Sequence, residues 1–308
     1  MAEDAAPEAK KLVVGIPKEI AALERRVAAT PQTVTKLRKL GLEPPADPAF
    51  RQGMRARAQA IGNRAGMPAQ NMVAGDSDGH IGWTIAGPLP NRIGNDRVSF
   101  PYGAADSALH WHGLKSPSDY PRVLDPKEGQ LWTANARQLA APGNGVLGDG
   151  GADFGARAKQ IRDDLSALGP GKTNEQAVYQ IALDDRAVFL TPWRERALKA
   201  LDAQALSGNA QRTEFRRLLE SSWDGRASVD SVGYRLTKEF LNALYQELFS
   251  GLDAELGSLL PRLDYDTANS RWPSVIARLL DEKPAGWLPP GRADWDAAEL
   301  NAIDGAVR

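Results

Sequence analysis

The segment between residues 72 and 85 carries a strong turn signal between two short apolar runs. The sequence Asp-Ser-Asp-Gly at residues 76–79 separates the apolar residues 72–74 from the apolar residues 81–85. Because glycine tolerates positive φ, an Asp-Gly pair in this position favours a tight turn between antiparallel strands. A calcium loop would need further oxygen ligands at alternating positions and a final bidentate glutamate, and these are missing. The sequence therefore predicts a β-hairpin with a polar tip.

The second half of the chain carries helical periodicity. Large apolar residues recur at intervals of four and form one continuous stripe: Val232, Leu236, Phe240, Leu244 and Leu248. This spacing places them on one face of an α-helix. Faces of this kind usually pack into a core, so we expect a core helix here and not a partner site.

A second helix is predicted to begin near residue 173. The sequence Thr-Asn-Glu-Gln at residues 173–176 fits a capping box, and Val178 lies at a position that faces the interior of the predicted helix. Pro192 is expected to break the helical pattern. Gln180 and Asp184 are one turn apart, so we predict a structural hydrogen bond between them on this helix.

His110 and His112 flank Trp111, and alternation along a strand would place both imidazoles on one face. Two imidazoles on one face are a possible start for a metal site. No third ligand is recognisable nearby in the sequence. We therefore favour a strand anchored by Trp111, with two polar neighbours, and predict no metal ligands.

Composition excludes several classes of function. The formal net charge is −1, which offers no electrostatic basis for binding nucleic acid or an acidic membrane surface. The absence of cysteine excludes disulfides, thiolate metal sites and thiol nucleophiles. Residues 1–11 contain no apolar core, so they match neither a signal peptide nor a membrane span. As written, the chain is expected to be cytoplasmic.

Residues 11–42 read as a strand, a turn and a helix that ends at Gly41. Within them, GIPKE at residues 15–19 and ERRVAATP at residues 24–31 are similar to the N-terminus of alanine dehydrogenase and of the NAD(P) transhydrogenase α subunit. That resemblance implies that Arg26 meets a substrate carboxylate. Nothing downstream supplies a Gly-x-Gly-x-x-Gly turn between a strand and a helix, where it would hold a dinucleotide, so we interpret Arg26 as a solvated surface arginine.

The sequence PPADP at residues 44–48 is the predicted domain junction, because it cannot continue a helix and the composition changes there. We therefore expect a first unit at residues 1–43 and a second at residues 44–308. An alternative interpretation is a non-catalytic fusion of two unrelated fragments, and another is a fragment of an NAD(P)-linked dehydrogenase or transhydrogenase subunit.

Four motifs in the second unit carry a resemblance to one family. They are QNMVAGDSDGHIGW at residues 70–83, GPLPNR at 87–92, YPRVLDP at 120–126 and WTAN at 132–135. Together they resemble the β chain of the penicillin acylase (penicillin amidase) family of N-terminal nucleophile hydrolases, over about residues 48–308.

This resemblance implies an α+β fold, namely an incomplete four-layer αββα N-terminal nucleophile hydrolase sandwich with a largely helical C-terminal half. Its β structure is expected between residues 70 and 135, and its helices after residue 155. It also implies hydrolysis of a linear amide bond in a small-molecule acyl-amide substrate through an acyl-enzyme, with no metal and no redox cofactor. Members of the family are commonly periplasmic.

The resemblance assigns two catalytic positions. Asn135 is expected to donate its side-chain N–H to the oxyanion that forms when a serine attacks the amide carbonyl. Arg157, within GARAKQIRD at residues 155–163, is expected to lie near Asn135 and to help orient it. The structural alternatives are a turn-forming asparagine and an arginine that opens a surface helix. Ala136 departs from the family, because many relatives have a second asparagine there.

The family nucleophile is a serine in a Gly-Ser-Asn context, and that tripeptide does not occur in this sequence. We therefore expect the isolated chain to be inactive. An incomplete sheet leaves unpaired strand edges, so self-association through those edges is also expected.

Overall fold

The computed structural model describes residues 68–75, 79–93, 110–139, 147, 152–169, 171 and 173–307. The predicted elements of residues 11–42, the position of Arg26, the junction at residues 44–48 and the hairpin tip at residues 76–78 lie outside the described residues. The domain boundary between residues 43 and 44 thus stays a prediction. Backbone packing divides the chain into residues 1–131 and residues 132–308, and each unit is described by itself.

The first unit contains antiparallel strands. In chain order they are β1 (Gln70–Gly75), β2 (Ile81–Ala86), β3 (Pro90–Ile93), β4 (His110–Leu114) and β5 (Arg122–Leu124). One sheet has the order β1-β2-β5, and a second sheet pairs β3 with β4. Met72 pairs with Thr84, and Gly75 pairs with Ile81. The predicted pairing of the two arms of the hairpin is therefore confirmed.

Side-chain hydrogen bonds fix the first sheet to its flanking loops. Trp83 is only 2% exposed, and its Nε1 donates to Asn71 Oδ1 across the hairpin at 2.9 Å. The Tyr120 hydroxyl donates to the Gly87 carbonyl at 2.8 Å and accepts from the Leu89 amide at 2.9 Å. Buried polar groups of this kind must be paired, so these bonds specify how the loops lie against the sheet.

The second unit is helical. The α-helices with described bounds are α1 (Ala156–Ala167), α2 (Glu175–Ala182), α3 (Thr191–Ala200), α4 (Ala203–Leu206), α5 (Ala210–Ser221), α6 (Val232–Leu259), α7 (Tyr265–Ala268), α8 (Trp272–Glu282) and α9 (Trp295–Ala306). The expected order of strands before residue 135 and helices after residue 155 is confirmed. No helix in the described part of the chain is long and apolar enough to cross a membrane.

The core of the helical unit forms around α6. Phe240 and Leu244, from the predicted stripe, are fully or almost fully buried, together with Ile276 of α8 and Ile303 of α9. Val232, the first member of the stripe, is 45% exposed because it is the first residue of the helix. The prediction of a core helix is thus confirmed, and only the first turn of its stripe lies at the surface.

Three local predictions for residues 173–192 are corrected. Asn174 is the N-cap of α2, and its side chain accepts from the Ala177 amide at 2.9 Å, so the helix does not begin with a capping box at Thr173. Val178 is exposed, not interior. Pro192 lies in the first turn of α3 and opens a helix instead of breaking one, because its missing N–H has no helical partner to lose there.

The predicted bond between Gln180 and Asp184 is also wrong. Helix α2 ends at Ala182, so Asp184 has left the helix and cannot meet a residue one turn earlier. Its carboxylate instead accepts from Arg186 and from Gln160 of α1. The carboxylate therefore joins α1 to the segment that follows α2.

Candidate functional site

Asn135 lies between β5 and α1 in the chain, in a backbone conformation that few residues adopt. Its φ is 60°, in the left-handed region, and its side chain is exposed. Asparagine enters this region more readily than most residues because its short polar side chain can bond locally. The local sequence thus permits this conformation, and the surrounding contacts hold it.

The backbone around Asn135 is paired with the segment that leads into α1. The Asp153 amide donates to the Asn135 carbonyl at 2.9 Å, and Ala136 forms a parallel β-bridge with Asp153. The Ser270 hydroxyl donates to the Ala152 carbonyl at 3.1 Å, which fixes the same segment to the loop between α7 and α8. The position of Asn135 is therefore set by neighbours that are distant in sequence.

Arg157, the second residue of α1, contacts the Asn135 side chain. Its Nη2 donates to Asn135 Oδ1 at 3.1 Å and to Asp153 Oδ2 at 2.5 Å. A guanidinium carries donors only, so it can meet only the oxygen of an amide, and this chemistry fixes the orientation of the Asn135 side chain. Its Nδ2 group points away from Arg157, and within the described residues it donates no hydrogen bond.

The far end of α1 is held by a second ionic network. Arg186 pairs with Asp164 of α1 and with Asp184, while Gln160 of α1 donates to Asp184 and to the Arg186 carbonyl. The hydrogen bond from Arg186 holds the pKa of Asp184 well below its usual range, although partial burial opposes this. The carboxylate therefore stays ionised, and the helix that carries Arg157 is fixed at both ends.

A cleft of about 670 Å³ begins at Phe154, between Asp153 and the start of α1. Its lining is mainly apolar, and the rings of Phe154 and Phe189 meet edge to face with centroids 5.4 Å apart. Lys159, Arg186 and Arg196 also line it, and each is paired with an aspartate. Because these cations are already neutralised, the cleft suits an apolar group better than an anion.

The structure brings together the two residues that the sequence analysis selected, since Asn135 and Arg157 are in direct contact. It adds Asp153, whose part in the site was not predicted from the sequence. One signal was present in the sequence, because an aspartate four residues before an arginine forms an ion pair in helical geometry. Its second contact, to the Asn135 backbone, has no sequence signal.

Other predicted positions belong to the first unit or lie outside the described residues. His112 lies on β4, while the side chain of His110 and the hairpin tip are not described. In the described ranges between residues 68 and 307, no group of three or more metal-ligating side chains is arranged to hold a metal ion. The site of Asn135 and Arg157 offers one neutral hydrogen-bond donor, the side-chain amide of Asn135.

Comparison with known proteins identifies the family of this chain. A family model described as penicillin amidase matches residues 51–307. Acyl-homoserine lactone acylase QuiP of Pseudomonas aeruginosa is 27% identical over 188 residues, which cover 58% of this chain and 22% of that protein. Penicillin acylase 2 proenzyme of Pseudomonas sp. (strain SE83) is 26% identical over 252 residues, which cover 78% of this chain and 28% of that protein.

A solved structure has the same fold. Penicillin G acylase from Alcaligenes faecalis superposes with a TM-score of 0.50 at 17% identity, covering 79% of this chain and 47% of that one. The fold is therefore that of an N-terminal nucleophile hydrolase, with a largely helical C-terminal half. The chain spans about a quarter of the length of the curated relatives, at 22% and 28% of the two described above. The match to the family model covers most of the chain, and the protein belongs to the penicillin amidase family.

Proposed function

We propose that this chain supplies the oxyanion-stabilising part of an acylase that hydrolyses linear amide bonds. The observation that carries the proposal is the bond from Arg157 Nη2 to Asn135 Oδ1, which turns the Asn135 Nδ2 group away from the arginine. A donor fixed in this way can meet negative charge that develops on a carbonyl oxygen. In other acyl-transfer enzymes, removing one such donor costs about 10²–10³ in kcat, or about 3–4 kcal/mol.

In the proposed reaction, a serine hydroxyl attacks the amide carbon and passes its proton to a base. The oxygen of the tetrahedral intermediate accepts a hydrogen bond from Asn135 Nδ2. The base then returns the proton to the leaving nitrogen, and collapse of the intermediate expels the amine. Water then hydrolyses the resulting ester through a second oxyanion held by the same donor. No metal or redox cofactor takes part in these steps.

The substrate class is argued from the relatives. One is named for acyl-homoserine lactones and the other for penicillin, and both names denote acylases. We therefore assign a small-molecule acyl amide as substrate and leave the acyl group unspecified. Residues 11–42, on which the dehydrogenase alternative rests, lie outside the matched residues 51–307, so the comparisons lend that alternative no support.

The proposal includes inactivity of the isolated chain, because the sequence contains no Gly-Ser-Asn tripeptide. The test is hydrolysis of phenylacetyl and long-chain acyl p-nitroanilides at high protein concentration, beside an Asn135→Ala variant. We expect neither protein to exceed the uncatalysed background. Hydrolysis by the parent chain that disappears in the variant would instead mean that another residue serves as the nucleophile.

A binding measurement tests the Asn135 donor without needing turnover. The chain is labelled with ¹⁵N-asparagine and titrated with phenylacetate, whose carboxylate carries negative charge as the oxyanion does. We expect the Asn135 side-chain amide signal to shift, and the shift to diminish in Arg157→Ala. Asn174 and Asn209, whose side chains cap helices, provide internal reference signals. If saturating phenylacetate does not shift the Asn135 signal, the donor role of Asn135 is contradicted and the alternative of a non-catalytic fusion is favoured.

We also propose that the chain self-associates through strand edges. Within the described residues, β1 and β5 each pair only with β2, so each has one edge without a hydrogen-bonded strand. Such edges are templates for pairing with another chain. Size-exclusion chromatography with light scattering should detect association that grows with concentration, and a monodisperse monomer would contradict the proposal.

A further inference from the structure

Asp153 touches Asn135 by two independent routes. Its backbone amide donates to the Asn135 carbonyl at 2.9 Å. Its carboxylate accepts from Arg157 Nη2 at 2.5 Å, and the same nitrogen donates to Asn135 Oδ1 at 3.1 Å. One residue therefore holds the backbone of Asn135 directly and its side chain through one intervening guanidinium.

We propose that Asp153 is a positioning residue that fixes the direction of the Asn135 side-chain donor. The inference rests on the proposed function of Asn135, and it adds a residue to that site. Asp153 itself has no part in the bond-making steps. Its role is to restrict both the left-handed backbone of Asn135 and the rotation of its amide.

The carboxylate is needed because Arg157 is otherwise a flexible surface side chain. The Arg157 side chain is 61% exposed and that of Asp153 is 41% exposed. A long exposed side chain samples several rotamers unless a partner fixes it. Since Asp153 and Asn135 share one nitrogen of Arg157, an arginine held by Asp153 presents that nitrogen to the amide oxygen continuously.

Because Asp153 and Arg157 are exposed, their ion pair can position Asn135 while contributing little to the stability of the fold. Ion pairs between exposed side chains contribute little to the free energy of unfolding, because water screens them and ordering them costs entropy. Removing the Asp153 charge should therefore leave the melting temperature nearly unchanged. The loss should be seen instead in the motion of Asn135.

The segment that carries Asp153 is itself fixed. The Ser270 hydroxyl holds the Ala152 carbonyl, and Gly155 follows with a φ of 92° as the N-cap of α1. A side chain at position 155 would be strained at that φ, so glycine allows the sharp entry into α1. Asp153 thus lies between two fixed points and can hold Asn135 in one place.

The test measures the motion of the Asn135 side chain by ¹⁵N relaxation. The full chain is labelled with ¹⁵N-asparagine, and the Asn135 side-chain signal is assigned by its loss in Asn135→Asp. The variants are Asp153→Asn, Asp153→Glu and, as a matched control, Asp163→Asn. Asp163 is an exposed aspartate on α1 that pairs with Lys159, and neither residue contacts Asn135.

We expect the order parameter of the Asn135 amide to fall from the rigid range to below about 0.6 in Asp153→Asn. Asp163→Asn should leave it unchanged, and Asp153→Glu should restore part of the rigidity by keeping the charge. Melting temperatures of all three should stay within about 2 °C of the parent. An unchanged order parameter in Asp153→Asn, or an equal fall in the control, would overturn the proposal.

If Asp153→Asn melts well below the parent chain, the same relaxation measurement on Arg157→Ala tests the proposal instead. That variant removes the side-chain link while leaving the backbone bond of Asp153 in place. Loosening of Asn135 with an unchanged melting temperature would support positioning, and a rigid Asn135 would contradict it.

Failure of this inference can be told apart from failure of the proposed function. The relaxation measurement needs no ligand, whereas the phenylacetate titration depends on the donor role of Asn135. If Asp153→Asn lowers the order parameter of the Asn135 amide but phenylacetate does not shift the Asn135 signal in the parent chain, the positioning role of Asp153 is supported and the proposed function is refuted. If phenylacetate shifts the Asn135 signal in the parent chain but Asp153→Asn leaves the order parameter unchanged, the proposed function is supported and the positioning role of Asp153 is refuted.

Discussion

The core around α6 and the loop that carries Asn135 belong to the same helical unit, yet they are held by different forces. In the core, large side chains such as Phe240, Leu244 and Ile303 lose almost all contact with water. Around Asn135, the contacts are hydrogen bonds and an ion pair between side chains that remain exposed. Burial stabilises the first region, and directional bonds give the second its geometry.

This difference teaches that stability and site geometry can be altered separately. Apolar burial contributes about 25 cal/mol per Å², so core residues dominate the free energy of unfolding. Exposed polar pairs contribute about 0–1 kcal/mol each, yet they fix the direction in which a donor points. Substitutions in the two regions should therefore differ in both size and kind.

The largest effect is expected in the core. Phe240→Ala should lower the free energy of unfolding by about 3–5 kcal/mol, because a fully buried aromatic side chain leaves a cavity. Urea denaturation followed by circular dichroism measures the change. Val232→Ala, at the exposed start of the same helix, is the control and should change stability by about 0.5 kcal/mol or less. Equal decreases in the free energy of unfolding in Phe240→Ala and Val232→Ala would contradict the view that burial in the core determines stability.

An intermediate effect is expected for the network that joins α1 to the segment after α2. Asp184→Asn should lower the free energy of unfolding by about 1–2 kcal/mol, because a carboxylate hydrogen-bonded to Arg186 is lost while solvent screens the exposed arginine. The folded pKa of Asp184 is lowered. Its contribution is therefore present above its unfolded pKa of about 3.9 and is lost as the pH falls through the folded pKa.

Glu299 provides a second test of pH dependence, because its pKa is raised whereas that of Asp184 is lowered. Burial raises the pKa of this carboxyl, although Arg196 opposes the shift. The native state therefore binds its proton at a higher pH than the unfolded state does, and its contribution grows as the pH falls from the folded pKa towards the unfolded one. The free energy of unfolding is measured by urea titration at a series of pH values. In Glu299→Gln, the increase in stability as the pH falls should disappear. In Asp184→Asn, the decrease in stability at acid pH should be smaller than in the parent chain. A parent-like pH profile in Asp184→Asn would contradict the assigned network.

The smallest effect is expected at Asn135 itself. Asn135→Ala should be less stable than Asn135→Gly by about 1 kcal/mol, since the φ of 60° strains a residue with a Cβ and glycine adopts it freely. Thermal unfolding monitored by circular dichroism gives the difference. The same pair of substitutions at Asn269, whose φ is −141°, is the control and should not favour glycine. A preference for alanine at position 135 would argue against the left-handed conformation.

Much of the fold could be predicted from local sequence, because turns and periodic apolar faces depend on neighbouring residues. The Asp-Gly turn signal predicted the pairing of β1 with β2, and the stripe around Phe240 predicted α6. Helix ends were predicted less well, since several residues near an end can cap it. The choice of Asn174 over Thr173 and the role of Pro192 in opening α3 illustrate this.

The sequence by itself determined the residue types of the site and, through its motifs, the family. The family resemblance already placed Arg157 near Asn135, whereas only the tertiary structure decided that Arg157 donates to the Asn135 amide oxygen and that Asp153 holds both residues. The tertiary structure likewise decided that Asp184 bonds to Arg186 and Gln160, and not to Gln180. The physical reason is that periodicity is a local property of the chain, whereas a hydrogen bond between distant residues depends on the path of the backbone between them.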